Sequence, residues 1–230
     1  GSFYKGLISI GMAMMLVPIF DNAICVYDFE QYDSFEGKND TYQTIDALFA
    51  LPEVLNETNV PDANGGRALS TVHLHQTHPI PQLLNFKSNP LGRWILMCIF
   101  DAAIQLGFDK TRNIRKLKYH RTWANRMEYG CDAVAHRHAN DDWSIPHLVA
   151  IYYTDVPENS ADLVFIQDDN RQVMRGKSCS EYPLAQQYRV SSQAGRLVCH
   201  DARFLHGTTV HKNTLPRTCL VIEVGFPPLD

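Results

Sequence analysis

Residues 122–155 read TWANRMEYGCDAVAHRHANDDWSIPHLVAIYYTD, and the fold turns on this stretch. At its centre stands His136-Arg137-His138. Successive side chains of an extended strand point to opposite faces, so His136 and His138 share a face about 7 Å apart at Cα, whereas on a helix they diverge by roughly 200°. A strand makes the pair a chelate. Ala133-Val134-Ala135 before it is small and apolar, and Ala139-Asn140-Asp141-Asp142 after it is turn chemistry. The pair is therefore expected at a strand end, with room for a third ligand and open positions. Two strands around a metal site are the reading of 122–155. The plainer alternative, two solvated histidines beside a loop, is opposed by these surroundings.

At 230 residues the chain is most economically one domain with a sizeable core, 1–119 supplying N-terminal strands and supporting helices and 120–230 the β core. No internal repeat or low-complexity tract interrupts it. A net charge of −4, with 20% charged and 45% hydrophobic residues, gives no global attraction to nucleic acid or to an anionic membrane. Cys25, Cys98, Cys131, Cys179, Cys199 and Cys219 are dispersed, with no C-x-x-C spacing. They read as reduced core thiols and point to a reducing, cytoplasmic compartment. Two N-x-T sequons, at Asn39 and Asn56, are too common by chance to overturn this. Residues 7–20 (LISIGMAMMLVPIF) are too short for a membrane span and contain Pro18. A buried strand is expected there, a trimmed signal peptide being the alternative. Gly1-Ser2 reads as a cloning remnant, which would put the natural N-terminus upstream.

Taken in order, 19–29 reads as a strand, 33–40 as polar turn, 42–51 as a short helix and 52–67 as loop. His73, His75 and His78 form a rival metal site. On a strand His73 and His75 share a face, but His78 falls on the other and Pro79 follows, so the three read as structural or substrate-facing. Residues 91–108 place Trp94, Ile95, Cys98, Ile99, Ala102 and Leu106 at helical spacing, a supporting helix packed on a sheet. Seven Lys or Arg residues between 110 and 126 read as the solvated face of a connector and strand, because no aromatic interleaving accompanies them.

Beyond the central stretch, 148–154, 162–166 and 195–199 read as strands. The long polar segment 167–194 is assigned to substrate recognition, since loops of that length in compact domains are usually lids or binding loops. Residues 217–226 (RTCLVIEVGF) alternate, Arg217, Cys219, Val221 and Glu223 on one face and Thr218, Leu220, Ile222, Val224 and Phe226 on the other. Many short strands of this kind imply a mainly β sandwich or small barrel with supporting helices.

The order Asn125-Arg126, Gly130, His136-x-His138, Ala150-Ile151-Tyr152-Tyr153, Gly195-Arg196-Leu197-Val198, His206 and Arg217 resembles the double-stranded β-helix (jelly-roll, cupin-like) core of the Fe(II)/2-oxoglutarate-dependent oxygenases, nearest their prolyl-hydroxylase-like branch. The likeness covers roughly 120–227. His206 lies 70 positions after His136, and Arg217 lies 11 after His206, as in that family. The resemblance implies that His136 and His206 are metal ligands and that Arg217 pairs with the distal carboxylate of 2-oxoglutarate as a planar fork. It also implies a hydrogen bond from Tyr153 to that carboxylate and places Asn125 in the pocket lining. Such enzymes hold Fe(II) on one face and leave positions open for 2-oxoglutarate and O₂.

One departure is serious. The family's carboxylate ligand, two residues after the first histidine, is here His138, so the site carries no anionic ligand. Three outcomes follow: an active three-histidine oxygenase, rescue by Asp141 or Asp142, or metal binding without turnover. The first is favoured, because strand parity aims His138 correctly and a residue three or four further on needs a bulge to reach. His200 and His211 compete with His206 but fit the spacing less well. The expected activity is hydroxylation of an aliphatic C–H of an amino acid, peptide or small metabolite, releasing succinate and CO₂, with neither nucleic acid nor membrane as partner. The rivals are a cupin-like three-histidine enzyme of thiol-dioxygenase type that does not use 2-oxoglutarate, and a non-catalytic β-helix binding module.

Overall fold

In the computed structural model, residues 13–20, 22–57, 63–64, 68–141, 145–167, 179 and 187–229 are described. The strands are β1 (Ala13–Ile19), β2 (Asn22–Asp28), β3 (Ala63–Asn64), β4 (Ala68–Ser70), β5 (Lys118–Met127), β6 (Asp132–Ala133), β7 (Leu148–Asp155), β8 (Leu163–Ile166), β9 (Gln187–Val190), β10 (Arg196–Asp201), β11 (His206–Thr208) and β12 (Arg217–Gly225). Among the described residues four α-helices accompany them: α1 (Lys38–Leu48), α2 (Pro52–Leu55), α3 (Ile80–Leu83) and α4 (Pro90–Gln105). A large sheet runs β1-β2-β10-β7-β12-β5-β4, a smaller one runs β11-β8-β9, and β3 pairs with β6. Every ladder is antiparallel.

Strand β7 shows why the central strands read as unbroken apolar runs. Leu148, Ala150 and Tyr152 face the helices, while Val149, Ile151 and Tyr153 face a second core that also contains Leu163 and Phe165 of the small sheet. With both faces covered, no polar face remains to alternate. Strands β10 and β12 keep the same parity: Leu197, Cys199, Leu220, Ile222 and Val224 pack on the helical side, and Val198, Cys219 and Val221 on the inner side. Inner-facing positions of these strands are therefore the ones that reach the site.

Helix α4 forms where the periodicity predicts it. Asn89 caps it, its side chain accepting from the Leu91 amide, and Pro90 occupies the first turn, where its missing N–H leaves nothing unmade. Trp94, Ile95, Cys98, Ile99 and Ala102 bury against the large sheet. At roughly 1.5–3 kcal/mol for each fully buried large aliphatic or aromatic side chain, this packing holds the helix more than propensity does. The helix stops short of 108 because Gly107 adopts φ +84° and turns the chain out.

Other expectations are corrected. Among the described part of 7–20, β1 is the edge strand of the large sheet, with Met15 and Leu16 exposed, because no other described strand pairs with its outer edge. Residues 19–29 are broken by a hairpin at Phe20, whose φ is 57°, instead of forming one strand. Helix α1 begins at Lys38, four residues before the expected start. Asn39 and Asp40, read as turn residues, occupy its first turn, where an acidic side chain suits the helix dipole. The 52–67 loop contains α2 and β3. The histidines of 73–78 lie on and after a 3₁₀ turn, Val72–Leu74, not on a strand. Of the 167–194 segment only 167, 179 and 187–194 are described, and β9 extends the small sheet there, so its reading as a recognition loop falls mostly outside the described residues.

Candidate active site

The H-x-H pair is not in a regular strand. It lies between β6 and β7, and its extended geometry comes from a single antiparallel bridge: the His136 amide donates to the His206 carbonyl at 2.9 Å and the His206 amide returns the bond at 3.0 Å. The His138 amide donates to the Ala202 carbonyl at 2.9 Å. Two residues of strand-like pairing suffice to bring the imidazoles to one side. Ring centroids lie 5.1 Å apart for His136 and His138, 4.4 Å for His136 and His206, and 5.1 Å for His138 and His206, whose planes are nearly parallel.

Each ring is oriented from behind. Nδ1 of His136 donates to the Val134 carbonyl at 2.8 Å, Nδ1 of His206 to the Phe204 carbonyl at 2.8 Å, and Nδ1 of His138 to the Glu223 carboxylate at 2.7 Å. Acceptors at all three Nδ1 atoms fix the Nδ1–H tautomer and leave each Nε2 with its lone pair. One ligand atom from each ring lies within 4.8 Å of the others. Nε2 of His138 and Nε2 of His206 are 3.3 Å apart, and two imidazoles bound at right angles ~2.1 Å from one ion stand roughly 3 Å apart. Burial, then the neighbouring His136, His200 and His138, holds the His206 imidazole well below its ordinary pKa, so it stays neutral as a ligand must. The donor set fits a divalent metal.

The other candidates are placed elsewhere. Asp141 is exposed and lines a separate cavity with Ile145 and His147; Asp142 lies outside the described residues. Rescue by Asp141 finds no support in this placement. His73 donates to the Glu53 carbonyl, and none of His73, His75 and His78 joins a metal-ligating cluster among the described residues. His211 is a structural brace, its Nε2 donating to the Leu215 carbonyl and its Nδ1 accepting from the Ala161 amide. His200 is fully buried with its ring 4.4 Å from that of His206, yet it is outside the ligand cluster. Its Nδ1 donates to the Asp201 carbonyl, and its Nε2 is buried without a partner.

Arg217 opens β12 and is 4% exposed. Its Nη1 donates to the Ala161 carbonyl at 2.6 Å, its guanidinium lies over the Tyr153 ring at 5.2 Å, and its Nε is buried with no hydrogen-bond partner among the described residues. A buried guanidinium nitrogen without an acceptor awaits one, and a carboxylate supplies it. Burial, partly offset by Arg217, pushes the Tyr153 hydroxyl far above its ordinary pKa, so Tyr153 is a neutral platform and donor. Asn125, Tyr153 and Arg217 line one cavity of about 200 Å³ with all three histidines. Arg121, Arg126 and Arg137 line it too, and among the described residues no carboxylate does. Such a lining suits a small dianion.

Glu223 and its partner Arg121 were not picked out from the sequence as functional. Glu223, fully buried on the inner face of β12, accepts from His138 and from both Nε and Nη2 of Arg121, at 2.7 and 3.0 Å. Burial raises its pKa, and the bonds from His138 and Arg121 outweigh that and leave it below the ordinary carboxylate value. The available signal was an acidic residue in an apolar strand, on the same alternating face as Arg217.

Residues 121–223 match the family model described as putative 2OG-Fe(II) oxygenase. Among solved structures, the chain is similar to the non-heme alpha-ketoglutarate-dependent carbocyclase SnoK from nogalamycin biosynthesis (TM-score 0.54, 14% identity, covering 88% of this chain and 80% of that one). It is similar to a prolyl hydroxylase from Trichoplax adhaerens in complex with a peptide fragment of the hypoxia inducible factor oxygen degradation domain (0.52, 11%, 89% and 84%). A third is HygX from Streptomyces hygroscopicus with nickel, 2-oxoglutarate and hygromycin B bound (0.51, 14%, 97% and 86%). By sequence alone, no curated protein matches the chain. The two facing sheets are thus a double-stranded β-helix. Residues 121–223 are similar in sequence to the putative 2OG-Fe(II) oxygenase family, and the chain shares its fold with solved 2-oxoglutarate-dependent enzymes.

Proposed function

We propose that His136, His138 and His206 together hold Fe(II), that Arg217 takes the distal carboxylate of 2-oxoglutarate, and that the enzyme hydroxylates an aliphatic C–H of an amino acid, peptide or small metabolite. The observation that carries this reading is the orientation of the three rings: every Nδ1 is engaged by an acceptor, and the ligand atoms converge on one cavity. The bound metal and 2-oxoglutarate supply the oxidising chemistry. The chain's own residues bind and orient. Arg217 pairs with a carboxylate inside the barrel, where Tyr153 steadies the guanidinium through its ring face and Asn125 adds a polar wall. Trp123, Ile151, Leu163 and Val221 give the same cavity apolar surface, which limits the water around the reacting centre.

Compartment and partners follow the same reading. All six cysteines are buried thiols, which supports a cytoplasmic protein, and no described helix is long and apolar enough to cross a membrane. Succinate formation from 2-oxoglutarate, measured with Fe(II) and O₂ in the presence and absence of amino-acid, peptide and small-metabolite candidates, tests the activity. Turnover is expected in the wild type and its loss in His136→Ala and His206→Ala. A wild type that binds Fe(II) but forms no succinate under any condition contradicts the proposal and favours the binding module. Oxidation of a thiol substrate without 2-oxoglutarate favours the cupin-like alternative.

A further inference from the structure

Glu223 stands one imidazole behind the point where the rings of His136, His138 and His206 converge. Its side chain is fully buried, and three donors converge on it: His138 Nδ1 and Arg121 Nη2 on Oε2, at 2.7 and 3.0 Å, and Arg121 Nε on Oε1 at 2.7 Å. Strand parity puts it there, because 217, 219, 221 and 223 face inward together and β12 runs from Arg217 to the back of His138. Trp123 walls this relay, stacked on His138 with centroids 6.0 Å apart and carrying Arg121 over its ring at 5.4 Å. Pairing with Arg121 alone would not need His138, since the Arg121 side chain is 38% exposed and has water as an alternative partner. Carboxylates that accept from the rear nitrogen of a ligating histidine set its tautomer and raise its basicity.

We infer that Glu223 is a positioning residue of the metal site: it holds His138 with Nδ1–H turned away and Nε2 toward the metal, and it supplies through the ring the negative charge that a carboxylate at position 138 would supply directly. This inference rests on the reading of His138 as a ligand. Arg121 completes it by holding both carboxylate oxygens, so that the charge is aimed and not mobile.

The test is Co(II) binding, followed by visible absorbance and by competition with a chelator, for the wild type, Glu223→Gln, His138→Asp and the double variant. Glu223→Gln is expected to weaken Co(II) binding by about 10–100-fold. In the His138→Asp background the same change should cost nothing or improve binding, because no ring remains to orient and the carboxylates at 138 and 223 repel. Equal losses in both backgrounds mark Glu223 as merely structural and overturn the inference, as does an unchanged affinity in Glu223→Gln. Should Glu223→Gln not fold, ¹⁵N spectra of the Zn(II)-loaded wild type decide: a His138 Nδ1 proton shifted downfield supports the relay, and an unprotonated Nδ1 overturns it. A wild type that binds no Co(II) fails the metal reading itself, which is a different result from binding that ignores Glu223.

Discussion

His200 is the residue whose chemistry is most constrained by its surroundings. Buried among His138, His206 and Phe165, it is pushed down to about 3, chiefly by burial and then by His138. Because its folded pKa is depressed below the unfolded value near 6.5, the unfolded chain takes up the proton first as pH falls. The stability its neutral form provides is fully present above about pH 6.5 and is lost progressively toward pH 3. His206 shifts in the same direction. The metal-free protein is therefore expected to lose stability between pH 7 and 5 at up to ~1.4 kcal/mol per pH unit for each such group. Urea unfolding at the two pH values measures this, and His200→Leu should reduce the slope by about one group's share. An unchanged slope in that variant contradicts the assignment.

At the scale of the element, β11 is three residues long and carries His206, one of the three proposed ligands, so its seating decides the site. A Cβ built on Gly207 would meet the Ala133 carbonyl oxygen and the Cys179 Sγ, both at 2.7 Å. The sulfur can move, but the carbonyl belongs to β6 and cannot move without the strand. Gly207→Ala is expected to push β11 outward, costing about 1–3 kcal/mol of stability and weakening metal binding by displacing His206. Thermal unfolding and Co(II) affinity measure the two effects, and a variant with both unchanged contradicts the packing described here. Elements with a single clear signal were legible in the sequence: α4 from its apolar spacing, β7 and β10 from their apolar runs, and β12 from its alternation. The hairpin at Phe20 was not, because left-handed backbone at a phenylalanine has no compositional mark. The H-x-H parity was right, although two bridge residues and not a strand enforce it.

For the whole molecule, the order and spacing of the three histidines and Arg217 pointed to one site, and the fold brings the four into one cavity. The Arg121–Glu223–His138 relay was not legible, because it joins β5, β12 and the 134–139 segment, and only the fold brings them together. Two of its members, Arg121 and His138, line a cavity with four arginines, walled by the large sheet and β11, while Glu223 lies behind that lining. The account stands on that cavity receiving a dicarboxylate beside a three-histidine metal. The most direct measurement is a titration of 2-oxoglutarate into the Fe(II)-loaded protein without oxygen, followed by metal-to-ligand charge-transfer absorbance. A saturable band at one equivalent is predicted for the wild type. Arg217→Ala, which strands a buried carboxylate at a cost of about 3–5 kcal/mol, should weaken it by roughly 10²- to 10³-fold or more while still binding Fe(II). Absence of a saturable band in the wild type, or equal affinity in Arg217→Ala, would contradict the account.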